Sequence, residues 1–298
     1  MSASDRKLFD DEFLKRLQGL FLIAKRISSR SGASLTKSSA LGDGLEFADH
    51  RSYARGDDLR FIDWPYFARM EKLLVRLFHQ HSESEVAILL DCSASTAPGA
   101  NRELFDYMRQ ISAALCYVAI GSGRRTILQT FTDKPGEIFH TGRDKSKILP
   151  ALDFLESLKP AGRSDLLSFA QNANLSGKNI GTVILISDFL TSERDISQAL
   201  SMLGGKSRDL LLLHAYRPTD KSPELTGNVI LDDAETGQTY KLTITPEIKH
   251  TYQQHWLNFA ERINQAALEN RATCIQAPSD QPFEELILVT LKQAGVLR

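Results

Sequence analysis

Apolar and polar residues follow two rhythms along this chain. Unbroken apolar runs occupy residues 86–90, 183–186 and 210–213. Runs of that length, rich in Val, Ile and Leu, suit strands buried on both faces, as in a parallel sheet covered by helices. Between and after them lie stretches with helical spacing, at residues 101–120, 145–158, 165–173, 195–203, 247–270 and 283–293. In the first of these, Leu104, Met108, Ile111 and Leu115 fall on one face. Residues 73–78, 125–131 and 272–276 read as further strands, 136–140 as a short edge strand, and the strand starting at 210 extends to 215. Residues 228–231 and 239–244 form a hairpin around Ala234, Glu235, Thr236 and Gly237. Strands alternating with helices in this way predict an α/β fold with a mostly parallel sheet.

Upstream of the sheet the pattern changes. Phe9, Phe13, Leu17, Leu20, Phe21 and Ile23 lie at helical spacing within residues 7–29, with Lys25, Arg26 and Arg30 near the end. A basic helix on a membrane surface is one reading. Asp10, Asp11 and Glu12 favour a helix docked on the body of the protein. Residues 31–41 are small and polar and read as a loop. The stretch from Gly42 to Trp64 is dense in Arg, Asp, Gly and aromatic residues, with little periodicity.

Composition narrows the class of function. The 298 residues are 42% hydrophobic and 24% charged, ordinary for a globular protein. With 36 Lys+Arg against 37 Asp+Glu the net charge is −1, which gives no general attraction to nucleic acid or anionic membranes. Cys92, Cys116 and Cys274 are isolated and odd in number, against a zinc site or a disulfide framework. The polar N-terminus has no leader-like apolar segment, and no apolar run approaches the roughly 20 residues of a membrane helix. A soluble cytoplasmic protein is expected.

The candidate chemistry sits at two strand ends. Asp91, Ser93 and Ser95 follow the first apolar strand at i, i+2 and i+4, and Asp188 follows Ser187 at the end of another. In parallel α/β sheets the functional crevice lies at the carboxyl ends of the strands. Ser164, in the loop before a helix start, can add a hydroxyl from the same edge. Two carboxylates with hydroxyls form a hard oxygen donor set that suits Mg²⁺ or Mn²⁺. Ser and Asp also cap helices and build turns, which is the alternative for each of these residues. Cys92, inside the loop, can equally point into the core. Ser93 stands where an aspartyl-phosphate enzyme on such a fold commonly carries a second Asp as general acid. There is also no P-loop. A binding protein is therefore expected rather than an enzyme.

These residues resemble a known family. Asp91-x-Ser93-x-Ser95 with Ser164 and Asp188 resembles the metal-ion-dependent adhesion site of von Willebrand factor A domains. The block Gly44-x-Glu46-Phe47, Arg51-x-Tyr53, Gly56-Asp57-Asp58-x-Arg60-x-Ile62-Asp63-Trp64 and Ala68-Arg69 resembles the signature of bacterial proteins known as domain of unknown function 58. The resemblance runs from about Gly42 to the end and includes the Asp232-x-x-x-Thr236-Gly237 hairpin. It implies a von Willebrand factor A-like (Rossmann-like) domain over residues 85–298 with an inserted β-hairpin. Residues 1–84 would form an extension carrying the N-terminal helix and the Arg/Asp/Trp segment, packed on that domain. It also implies a partner, a MoxR-type AAA+ ATPase, and a chaperone-like role in maturing or activating other protein complexes. Ser164 replaces the family's usual Thr, keeping the hydroxyl without the methyl that restrains its rotamer. Arg51, Arg55 and Arg60 would either meet acidic groups on a partner or pair internally with Trp64 buried; internal pairing is the expectation. Two alternatives stay open: a metal-dependent hydrolase at the same site with Asp165 as base, and a scaffold whose metal site is vestigial.

Overall fold

The computed structural model describes residues 7–30, 46–54, 57–79, 85–99, 101–142, 144–173, 175 and 180–293. The expected loop at 31–41, residues 42–45 of the Arg/Asp-rich stretch, Arg55 and Gly56 lie outside them. In chain order the elements are α1 (Asp11–Arg30), β1 (Glu46–Ser52), α2 (Trp64–Met70), β2 (Leu74–His79), β3 (Glu85–Asp91), α3 (Glu103–Gly121), β4 (Thr126–Phe131), β5 (Pro135–Gly142), α4 (Ile148–Ser157), α5 (Leu166–Asn172), β6 (Ile180–Ser187), α6 (Glu193–Gly204), β7 (Asp209–Tyr216), the single turn α7 (Pro218–Lys221), β8 (Gly227–Asp232), β9 (Thr239–Ile244), α8 (Pro246–Glu269), β10 (Thr273–Pro278) and α9 (Phe283–Gln293).

Six strands make the central sheet, in the order β10-β7-β6-β3-β4-β5. All neighbours pair in parallel except β5, which runs antiparallel to β4 at the edge. This is the mostly parallel, helix-flanked α/β architecture the apolar runs imply. The side-chain period of two splits the core into two layers. Val86, Ile88 and Leu90 of β3 join α1, α3, α4 and α9 on one face. Ala87 and Leu89 join α5, α6 and α8 on the other. β3 and β6, at the centre, are buried almost throughout, so their carboxyl ends are held from both sides.

Helix starts follow local chemistry. Asp165 caps α5, Ser192 caps α6, and Thr245 with Pro246 at the first turn opens α8. α1 docks on the body through Phe13, Leu17, Leu20 and Ala24, and Phe9 just before it joins the same core. Burying Phe13, Leu17 and Leu20 contributes about 5–9 kcal/mol in transfer terms, before the cost of ordering the helix. Arg16 reinforces the contact, pairing with Glu284 of α9 and lying over the Phe283 ring at 4.5 Å. Ile23, placed on the apolar face by spacing, is exposed instead.

The Arg/Asp/Trp stretch forms structure that its periodicity did not announce. β1 pairs antiparallel with β2 as a separate two-stranded sheet, and Ile62 bridges to Val75. Ile62 and Val75 are fully buried, yet belong to neither layer of the main core. Arg51 grips Asp57 with two hydrogen bonds of 2.8 and 2.6 Å, Arg60 pairs with Asp58 at 2.7 Å, and His50 meets Asp63 at 2.7 Å. These charges pair within the block. Trp64 does not follow the expectation of burial. It is 54% exposed, because Asp63 and Pro65 start α2 there and turn the indole outward beside Phe67.

One core residue makes stability depend on pH. His214 of β7 is buried among Phe189, Tyr216, Trp256 and Phe259, and burial lowers its pKa to about 4. An unfolded imidazole titrates near 6.5, so between those values the unfolded chain binds a proton that the folded chain refuses. The stability held above pH 6.5 is therefore lost as pH falls toward 4. Chemical denaturation of wild type and His214→Phe should show wild type losing about 2–3 kcal/mol more than the variant between pH 7 and 4.5. Parallel pH profiles would contradict neutral burial.

Candidate metal centre

Asp91 ends β3 and is completely buried. Three groups donate to its carboxylate: the Ser93 backbone N–H to Oδ1 at 2.9 Å, and the Ser164 and Ser187 hydroxyls to Oδ2 at 3.1 and 2.6 Å. The Ser93 hydroxyl lies 2.9 Å from that of Ser95. The loop carrying Ser164 is tied to the β3 end by Ala161 N–H to Cys92 O at 2.8 Å and Ala94 N–H to Gly162 O at 2.9 Å. Gly162, at φ +81°, makes the turn that brings the loop in. Cys92 itself points back into the core, and burial raises its pKa, so the thiol is inert here.

Asp188 follows β6, the neighbouring strand, and is also buried. Its Oδ1 accepts the Leu190 N–H at 3.1 Å. The Ser95 hydroxyl lies close enough to temper its pKa, yet Oδ2 finds no hydrogen-bond donor in good geometry among the described residues. Burial, and then the negative charge of Asp91, push the Asp188 carboxyl well above the usual carboxylate range. Burial raises Asp91 too, against the pull of its hydroxyl and amide donors. Among the described residues neither carboxylate forms an ion pair with Lys or Arg.

The five residues singled out in the sequence thus come together at one edge of the sheet. Two more join them. Ser187, the last residue of β6, bonds Asp91 and accepts the Phe189 N–H at 2.9 Å. Its place beside Asp188 was visible, but its direction follows from the register that sets β6 against β3. Glu235, at the tip of the β8–β9 hairpin, accepts the Ser164 N–H at 3.3 Å and lies near the Ser95 hydroxyl. No local signal in the hairpin turn points across 71 residues to Ser164. Next to Asp188, Phe189 takes a left-handed backbone at φ 55° although it is not glycine. Such strain costs on the order of 1–2 kcal/mol and clusters at functional sites. It swings Leu190 out into solvent beside the cluster.

No group of three His, Cys, Asp or Glu side chains that could hold a metal is found among the described residues. The fit of a cation therefore turns on oxygen donors of another kind. Two buried carboxylates, one with an orphaned oxygen, and three hydroxyls suit a hard divalent ion that keeps part of its water. Asp165, the base that a hydrolase would need, is otherwise engaged. Its carboxylate accepts the Ser168 N–H at 2.9 Å and the Ser168 hydroxyl at 2.7 Å as the cap of α5.

Fold and site together define an α/β protein with an Asp/Ser cluster at the carboxyl ends of its central strands. The model of the family described as protein of unknown function DUF58 matches residues 49–261, more than half of the chain, and the chain belongs to that family. No curated protein matches it. Among solved structures it is similar to the conserved hypothetical protein BatB from Bacteroides thetaiotaomicron, at 14% identity and a TM-score of 0.43, covering 71% of this chain and 98% of that one. It is also similar to the SpRpn10 VWA domain, at 14% identity and a TM-score of 0.37 over 68% and 93% of the two chains. A third is the vWF domain of the type V pili tip protein Mfa5 from Porphyromonas gingivalis, at 14% and 0.35 over 72% and 96%.

The buried pair has a measurable cost. At pH 8 in chelator, Asp188→Asn should raise the unfolding midpoint by about 2–4 °C, the shift that ~1 kcal/mol of relieved repulsion gives in a domain of this size. A lowered midpoint would mean that the carboxylates are not in conflict.

Proposed function

We propose that this protein is a non-enzymatic protein-binding module whose adhesion site is one divalent cation, Mg²⁺ or Mn²⁺, held by Asp91, Ser93, Ser95, Ser164 and Asp188. The observation that carries this reading is the buried Asp91–Asp188 pair, with Asp188 Oδ2 unpartnered among the described residues and the Ser164 and Ser187 hydroxyls turned to Asp91. Two buried like charges without a basic residue are costly, and a cation is the simplest counterpart. When bound, the ion offers an open position that accepts a carboxylate oxygen from another protein. The residues of the chain do the rest. Asp91 fixes Ser164 and Ser187, the Ala161 and Ala94 backbone bonds lock the loop, and the rigid sheet beneath keeps the hydroxyls converged.

We propose as partner a MoxR-type AAA+ ATPase, which the family resemblance implies. Such an ATPase would engage the site in the chaperone-like maturation or activation of other protein complexes, in the cytoplasm. No helix among the described residues is long and apolar enough to cross a membrane. The base singled out for a hydrolytic role, Asp165, is engaged in capping α5.

Titration calorimetry checks the assignment. Wild-type protein should bind Mg²⁺ or Mn²⁺ with one site, and Asp91→Ala should bind neither while keeping its far-ultraviolet circular dichroism. Undiminished affinity in Asp91→Ala would refute the ligand set. An AAA+ ATPase captured by tagged wild type in Mg²⁺, but not in EDTA or by Asp91→Ala, would support the partner.

A further inference from the structure

The β8–β9 hairpin has no structural reason to touch the cluster. Its strands are exposed almost from end to end, so packing does not fix where it lies. Its tip nevertheless delivers Glu235 to two of the proposed ligands, the Ser164 backbone N–H at 3.3 Å and the Ser95 hydroxyl. The Glu235 side chain is only 18% exposed there.

The turn is built to present this residue. The Asp233 carboxylate accepts the backbone N–H of Glu235 at 2.9 Å and of Thr236 at 2.8 Å, and Gly237 closes the turn at φ +69°. A carboxylate is thereby held against the loop and hydroxyls that surround the two buried ones. The charge of Asp91 acts against it, and the Arg163 guanidinium that offsets it stands 3.9 Å away and largely in solvent. An exposed pair at that distance contributes little. Meanwhile Asp188 Oδ2 is unpartnered within the same cluster. Glu235 thus reaches the hydroxyl side of the cluster, at Ser164 and Ser95, from outside the ligand set.

We propose that Glu235 is a built-in occupant of the adhesion site: the hairpin places a carboxylate where a partner's acidic side chain must enter, so partner binding requires the hairpin to withdraw. This rests on the divalent-cation reading above. A tethered carboxylate competes at an effective concentration of about millimolar, enough to exclude weak acidic ligands while yielding to a partner with further contacts.

Mn²⁺ alone is a sufficient probe. Water-proton relaxation of the full chain loaded with Mn²⁺ reads how much rapidly exchanging water the ion keeps, and hydrogen exchange reads the mobility of residues 227–244. Glu235→Gln and Glu235→Ala should both bind Mn²⁺ with a higher relaxation enhancement than wild type. Adding Mn²⁺ should slow exchange in the wild-type hairpin and leave it unchanged in both variants. If Mn²⁺ binds all three proteins and is lost only in Asp91→Ala, but relaxation is the same with and without Glu235, the occupant is refuted and the metal site stands. If wild type binds no Mn²⁺ at all, both are refuted.

Discussion

Two carboxylates buried on adjacent strands are the constraint around which this protein is arranged. Asp91 and Asp188 sit at the carboxyl ends of β3 and β6, the central pair of the sheet, each nearly or fully removed from solvent. Removing one carboxylate from water is costly, and a second of like charge beside it raises that cost. The surroundings answer asymmetrically. Asp91 collects an amide and two hydroxyls, whereas Asp188 keeps an oxygen with no partner among the described residues. One carboxylate is satisfied and the other left open, and the proposed cation answers that asymmetry.

Rigidity beneath the site makes such an arrangement tolerable. β3 and β6 are packed on both faces by separate apolar layers, so their ends cannot drift apart to relieve repulsion. The loop with Ser164 is sewn to β3 by two backbone hydrogen bonds, and the left-handed Phe189 stores strain directly after Asp188. The hairpin is the opposite case, since it buries almost nothing along its strands. Site and hairpin thus differ in packing: the cluster rests on a doubly covered sheet, and the hairpin on little beyond its own pairing.

Much of this was legible in the sequence, for physical reasons. Strands 86–90 and 183–186 were visible because burial on both faces demands unbroken apolar runs, and Asp91 and Asp188 were visible because they interrupt those runs at the functional end of a parallel sheet. β1 was not legible. Its Glu46–Ser52 segment is mostly polar, and its pairing with β2 owes nothing to a repeating apolar face. Nor was α2, whose seven residues leave no room for a helical period. Trp64 was misjudged because an indole suggests burial, while the helix start it occupies turns it outward. Ser187 and Glu235 depend on strand register and on a contact between distant segments, which composition and spacing do not encode.

The most direct measurement is the anomalous diffraction of a crystal of the full chain grown or soaked in Mn²⁺, collected where Mn scatters anomalously. One strong peak is expected among the side-chain oxygens of Asp91, Ser93, Ser95, Ser164 and Asp188. Well-ordered side chains there with no peak, or a peak only elsewhere on the molecule, would contradict it.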